Sequence, residues 1–210
     1  VMPEEHKQKG LLKLADNLAK VQESFVARQG IRLFGEHEDG GSEAICHNAV
    51  MEELAAPGYL VIGTDSHTCT AGALGCFAFG VGSTDMANAW YTKDVQVKVP
   101  ESVRYDLIGK PTSDITAKDV ILYIMAQEYI KSGKGIGKVL EFTGDGLLHF
   151  NMDERATLTN MAVEAGATTG IIEPDAVTAE YLMNFRGWDE TAANSGFMKS
   201  DTEAEYDASF

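Results

Sequence analysis

Four short apolar runs punctuate this sequence, and helix-forming stretches fill the spaces between them. The runs are YLVI at 59–62, SVRYDLIG at 102–109, VLEFTG at 139–144 and TTGIIE at 168–173. YLVI reads as a short buried strand, SVRYDLIG alternates in strand fashion, and the other two also read as strands. The intervening segments supply helices. Leu11 to Arg28 has its apolar residues at helical spacing and reads as a long amphipathic helix. Ser42 to Ala55 consists of good helix formers behind a possible Ser cap, and Ser83 stands as the cap of STDMANAWYT. Thr116 with Asp119, and Asn151 with Glu154, have capping-box spacing. The second of these helices is expected to run through Glu164 and end at Gly166, and Pro174 opens another over DAVTAEYLMNF. Alternation of this kind predicts an α/β fold. Pro100 marks a change of character, so a boundary near residue 98 would give two domains, 1–98 and 99–210.

Charge narrows the range of partners. With 32 acidic against 17 basic residues the net charge is −15, which argues against a nucleic-acid partner because phosphates need Lys and Arg. A small anionic substrate is still open to it, since a few local donors override the global field. Six acids and one Lys fall between Trp188 and Phe210, a run expected to be a solvated tail or loop. Three cysteines, Cys46, Cys69 and Cys76, form no CxxC pair and suit neither a disulfide framework nor a zinc site. A reducing compartment fits, the cytoplasm or an organellar matrix. No apolar run approaches the roughly 18 residues of a membrane span. The chain begins with Val and closes on EYDASF without a stop signal, so it is expected to be a piece of something longer.

The chemistry concentrates where the first apolar run stops. GTDSHT follows YLVI directly, placing Asp65, Ser66 and His67 at the carboxyl end of a strand, where polar groups of an open α/β sheet reach a crevice. Two readings fit. Asp and Ser are turn residues that bond nearby main-chain N–H groups; equally, an acid–base site needs a His held by a carboxylate. His47 lies on the helix before the strand, and a short helix–turn–strand could return it beside Asp65. Asn160 and Glu164 are four residues apart on one predicted helix and would share a face, an arrangement usually found on solvated surface. A Ser–His–Asp hydrolase fails on context, because Ser66 lacks the G-x-S-x-G elbow. GKGIGK lacks the spacing of a phosphate-binding loop. Glu36, His37, Glu38 and Asp39 could ligate a metal, but hydrated loop charges explain them as well.

At these residues the sequence resembles the large subunit of the aconitase and isopropylmalate dehydratase family. GTDSHT followed by GALGCFAFGVGSTDMA resembles the family's signature segment, and ICHNAVMEELAAPGYLVIGTDSHT its His-containing helix. VPESVRYDLIGK, TAKDVIL and ATLTNMAVEAGATTGIIEPD are similar, in order, to its second domain, and the resemblance covers about residues 40 to 185. It implies partial three-layer α/β/α domains of the aconitase iron–sulfur type. It also implies dehydration and rehydration of a hydroxy di- or tricarboxylic acid at a 4Fe–4S cluster, one iron of which binds substrate. Substrates of the 3-isopropylmalate or homoaconitate type come first; aconitase proper, or a cluster-free carboxylate-binding module, are the alternatives. Carried over residue by residue, Asp65 would pair with His47, Ser66 would bind a substrate carboxylate, Glu164 would orient His67, and Asn160 would lie against the cluster.

Departures from the family pattern matter equally. The Ser-Cys-Thr-Asn and C-x-x-C segments that supply the cluster cysteines are absent, and Cys69 does not occupy a ligand position. The family's upstream Asp-His pair is missing before residue 10, and its basic serine and arginines belong to later domains or a small subunit. The expected partners are therefore the remaining large-subunit domain and a small swivelling subunit or domain. By itself the chain is expected to be inactive.

Overall fold

The structure is a computed structural model that describes residues 5–6, 9–10, 13–35, 41–43 and 45–210. The chain divides into two compact units, Val1–Ala49 and Val50–Phe210. In the first, the long helix is α1, Lys13–Gln29, with Asp16 in its first turn and Arg28 in its last, both favourable to the helix dipole. None of its residues is buried, so its apolar positions cover no core there. The unit closes on α2, Cys46–Ala49.

The second unit opens on a π-helical turn, Val50–Leu54. Helical structure within the expected Ser42 to Ala55 thus begins at Cys46 and changes from α to π geometry at Val50. Ala55 N bonds Val50 O at 2.7 Å, a wide turn that ends the segment before Pro57. Strand β1, Leu60–Gly63, follows, then a 3-10 helix, Ser66–Leu74, and β2, Phe77–Gly80. β1 and β2 pair in parallel, Leu60 opposite Phe77 and Gly63 opposite Gly80. β1 was expected to be buried; instead Leu60 is exposed and the other three residues are half-buried, because this sheet has only these two strands among the described residues. Helix α3, Ser83–Thr92, is capped by Gly82 without a side-chain bond, so Ser83 is its first residue and not its cap.

A second parallel sheet contains β3, Ser102–Asp106; β4, Val139–Thr143; β5, Thr169–Ile172; and β6, Ala208–Ser209. Its order is β5-β4-β3-β6. Around it lie α4, Ala117–Met125; α5, Glu128–Lys131; α6, Met152–Asn160; α7, Ala176–Arg186; and α8, Glu190–Ala193. Both expected capping boxes form, at Thr116 with Asp119 and at Asn151 with Glu154. The core is built from alternate strand residues, Val103 and Tyr105, Leu140 and Phe142, against Ile121, Leu158 and Ile172. Parallel strands joined through helices make this an α/β fold, as the alternation of runs requires.

Two features go beyond the sequence reading. The acidic run after Trp188 is not merely solvated: β6 pairs with β3, Phe210 stacks on Tyr105, and Asp207 takes the Lys138 ammonium at 2.9 Å and the Tyr129 hydroxyl. Arg155 is fully buried on α6; its guanidinium donates to Phe150 O, to Leu147 O and, at 2.7 Å on both oxygens, to Asp175, the N-cap of α7. One buried cation thereby ties α6 to the start of α7. No helix among the described residues is long and apolar enough to cross a membrane.

Candidate active site

Glycine packing sets the position of the site. The 3-10 helix lies against β5 so closely that a Cβ on Gly72 would stand 1.8 Å from Gly170 O. Only a hydrogen fits there. At the other end, a Cβ on Gly63 would meet Thr68 Oγ1 at 2.4 Å, and one on Gly80 would meet Asp65 O at 2.8 Å. The glycines around the DSHT segment therefore allow the chain to fold back on itself where β1 ends. They form no flexible loop: Thr68 to Leu74 are all buried.

Asp65 is the N-cap of this 3-10 helix, its Oδ1 accepting from His67 N at 2.8 Å. The turn reading of the motif thus holds, and it does not exhaust what these groups do. The cap draws the His67 ring back over the turn, with Nδ1 at 3.3 Å from Ser66 Oγ and 3.4 Å from Asp65 Oδ1. On the ring's other side Nε2 lies 2.8 Å from Glu164 Oε1, a residue 97 positions away. The Glu164 hydrogen bond is the chief cause of a raised His67 pKa; burial opposes it, and the charges of Glu164 and Asp65 add to it.

Glu164 does not reach His67 from a helix. α6 ends at Asn160, and residues 161–166 form a succession of tight turns, with Ala165 N bonding Ala162 O and Gly166 N bonding Val163 O. The expected helix through Glu164 is thus too long by a turn, and Asn160 and Glu164 do not share a helix face. Gly166, at φ +81°, then redirects the chain toward β5. Asn160 meets the 3-10 helix separately, its Nδ2 donating to Thr70 Oγ1 at 2.8 Å. The sequence reading missed Thr70. Its only local signal is the spacing of three from His67, where a Thr hydroxyl bonds back to a carbonyl.

Beside Ser66 a cleft of about 380 Å³ opens, lined also by Thr64, Val81, Val163, Ala167 and Thr168. Ser66 lines the cleft, and its hydroxyl lies 3.3 Å from the carboxylate-held imidazole of His67, a pair able to orient a carboxylate and to take or give a proton. His47 lies in α2, in the first unit, so its pairing with Asp65 is taken up below only as a proposal. Glu36, His37, Glu38 and Asp39 lie outside the described residues.

Two of the three cysteines, Cys69 and Cys76, are held by the main chain. Cys69 is buried and donates its Sγ–H to Ser66 O and Asn160 O; Cys76 is buried and donates to Ala56 O. Burial raises their pKa values to about 11 and about 12, and both thiols are turned onto main-chain carbonyls.

Comparison with known proteins gives concordant results. The sequence model described as Aconitase family (aconitate hydratase) matches residues 4–210. The 3-isopropylmalate dehydratase large subunit of Aquifex aeolicus is 42% identical over 190 residues, which is 90% of this chain and 41% of that protein. A 3-isopropylmalate dehydratase large subunit of Pyrococcus furiosus is 42% identical over 188 residues, 89% of this chain and 42% of its own length. The methanogen homoaconitase large subunit of Methanocaldococcus jannaschii is 41% identical over 173 residues, 82% of this chain and 40% of its own. The chain thus spans about two fifths of the length of the curated relatives it matches.

Proposed function

The chain belongs to the aconitase family, and from that premise we propose that it forms the proton-handling part of an iron–sulfur hydro-lyase large subunit. The complete protein would dehydrate and rehydrate a hydroxy di- or tricarboxylic acid, with a substrate of the 3-isopropylmalate or homoaconitate type, beside a small-subunit partner. Residues 1–98 and 99–210 would be successive domains of it, working in the cytoplasm. The observation that carries this reading is the His67–Glu164 pair at 2.8 Å, with Ser66 and Asp65 at the ring's other nitrogen, beside an open cleft.

A 4Fe–4S cluster, when bound, supplies Lewis acidity to such a reaction. Cys69 and Cys76 are turned onto main-chain carbonyls, so the proposal draws the cluster's ligands from outside this chain and takes no step through it. What this chain supplies is proton placement. With Nε2–H given to Glu164, a neutral His67 ring offers Nδ1 as an acceptor, and the Ser66 hydroxyl donates to it. Once the ring is protonated, Nδ1–H donates instead to Asp65 Oδ1 or to Ser66 Oγ. The Ser66 proton is then released toward a ligand in the cleft. Protonation of His67 in this way turns Ser66 into a donor for a substrate carboxylate, while the cationic ring adds charge of the right sign. Asp65 would hold His47 as a second carboxylate–imidazole pair, as the family resemblance implies.

The alternative reading is a carboxylate-binding module that uses no cluster. Expression of the complete coding sequence with its small subunit, anaerobic reconstitution and measurement of the unsaturated acid formed from 3-isopropylmalate separate the two. Cluster-dependent turnover supports the hydro-lyase. Binding of the hydroxy acid without turnover and with no cluster incorporated supports the module, and absence of turnover at full cluster loading contradicts the hydro-lyase.

A further inference from the structure

Thr70 makes no contact with the cleft, yet its hydroxyl lies between two residues of the candidate site. Oγ1 donates to His67 O at 2.6 Å and accepts from Asn160 Nδ2 at 2.8 Å. A hydroxyl has a single proton. With that proton committed to the His67 carbonyl, only lone pairs face Asn160, and the amide can meet them with its NH2 end alone. Turned over, the Asn160 oxygen would confront oxygen lone pairs with no proton between them, at a residue only 5% exposed, where water offers little relief. The flanking bonds hold the same register. Cys69 Sγ donates to Asn160 O at 3.5 Å, and Thr159 Oγ1 donates to Thr70 O at 3.0 Å.

We propose that Thr70 is a positioning residue of this site, one that fixes which end of the Asn160 amide faces the 3-10 helix and ties the last residue of α6 to the main chain of His67. The amide oxygen is then held at the end away from Thr70, where it makes no hydrogen bond among the described residues. The catalytic meaning of this arrangement rests on the function proposed above; its geometry does not.

The test has two arms. In this chain, nuclear magnetic resonance of the Asn160 side-chain amide should show two resolved Nδ2 protons that exchange slowly with solvent. Thr70→Val replaces the hydroxyl by a methyl of similar size and should speed that exchange by about tenfold, the loss expected for one neutral hydrogen bond. Thr70→Ser should restore the protection. Should Thr70→Val fail to fold, the wild-type spectrum still decides: fast exchange of the Asn160 amide, or of the Thr70 hydroxyl proton, overturns the proposal. In the complete enzyme, Thr70→Val should lower kcat by about tenfold with KM little changed, and Thr70→Ser should recover it. Lost amide protection with kcat unchanged would leave the positioning intact and overturn the assignment of Asn160 to the reaction. Unchanged protection in Thr70→Val would overturn the positioning itself.

Discussion

Replacing Glu164 by Gln should lower the pKa of His67 while leaving the ring's hydrogen bond in place. Gln presents an amide oxygen that can still accept from Nε2–H at the 2.8 Å position, but it has no charge. In the wild-type chain the His67 pKa stands above its ordinary value of 6.5, chiefly through Glu164. Without that carboxylate, the Asp65 carboxylate, 3.4 Å from Nδ1, still opposes burial. Two unit charges about 4 Å apart attract by about 1 kcal/mol under water-like screening, and exposed ion pairs contribute about 0.2–1 kcal/mol. The two side chains are 34% and 40% exposed, so screening is substantial and about 0.5–1 kcal/mol is the expected worth of the charge. The linkage has a definite sign. A raised folded-state pKa gives stability that is complete below the unfolded value and is lost as pH rises through the folded one. Wild type should therefore exceed Glu164→Gln in stability by about 0.5–1 kcal/mol near pH 5.5, above the carboxylate range, and the gap should close by about pH 9. Histidine ring titration by nuclear magnetic resonance gives the midpoint, and urea melts at the two pH values give the gap. A midpoint that is unmoved or raised in the variant, or a gap that widens with pH, would refute the reasoning.

Other predictions test other parts of the fold. Asp175→Asn keeps a capping side chain on α7 but leaves the fully buried Arg155 without its counter-charge, and should cost about 3 kcal/mol in urea unfolding, at the low end for a broken buried pair because Asp175 is 28% exposed. Gly72→Ala places a methyl 1.8 Å from Gly170 O, so the 3-10 helix must move off β5. A loss of about 3 kcal/mol or more is expected in thermal or urea melts. A thiol reagent at pH 8 should modify exposed Cys46 in the native chain and reach Cys69 and Cys76 only after unfolding, since both are buried with pKa values of about 11 and about 12.

What could be read from the sequence was what local spacing encodes. The capping boxes at Thr116 and Asn151 form as read, because a cap is satisfied within four residues. Strands β3, β4 and β5 lie within their runs for a similar reason. Misreadings arose where a distant contact overrides a local signal. Nothing local says what Gly72 packs against; the answer is β5, about a hundred positions on, while Gly80 packs against the main chain of Asp65. The helix expected to run to Glu164 stops at Asn160, freeing Glu164 to turn toward His67. The acidic run before Phe210 looked solvated because nothing local reveals that Lys138 and Tyr129 receive Asp207. In the site, Asp65, Ser66 and His67 were visible as a polar group at a strand end. Their link to Glu164 came from family resemblance and not from spacing. Thr70 was invisible, since what marks it is a pair of hydrogen bonds, one of them to a residue 90 positions away.

The central claim is that the strand-end motif and the turn after α6 handle protons for a hydro-lyase. Steady-state kcat of the complete, cluster-loaded enzyme tests it most directly, with Asp65→Asn and Glu164→Gln compared against Glu180→Gln, an exposed control on α7. A positioned acid–base group contributes about 10²–10⁴-fold in rate, so the first two variants should lose kcat by that order at unchanged iron content and the control should lose none. Near wild-type kcat in both Asp65→Asn and Glu164→Gln would contradict the account and leave the motif a helix cap and a turn.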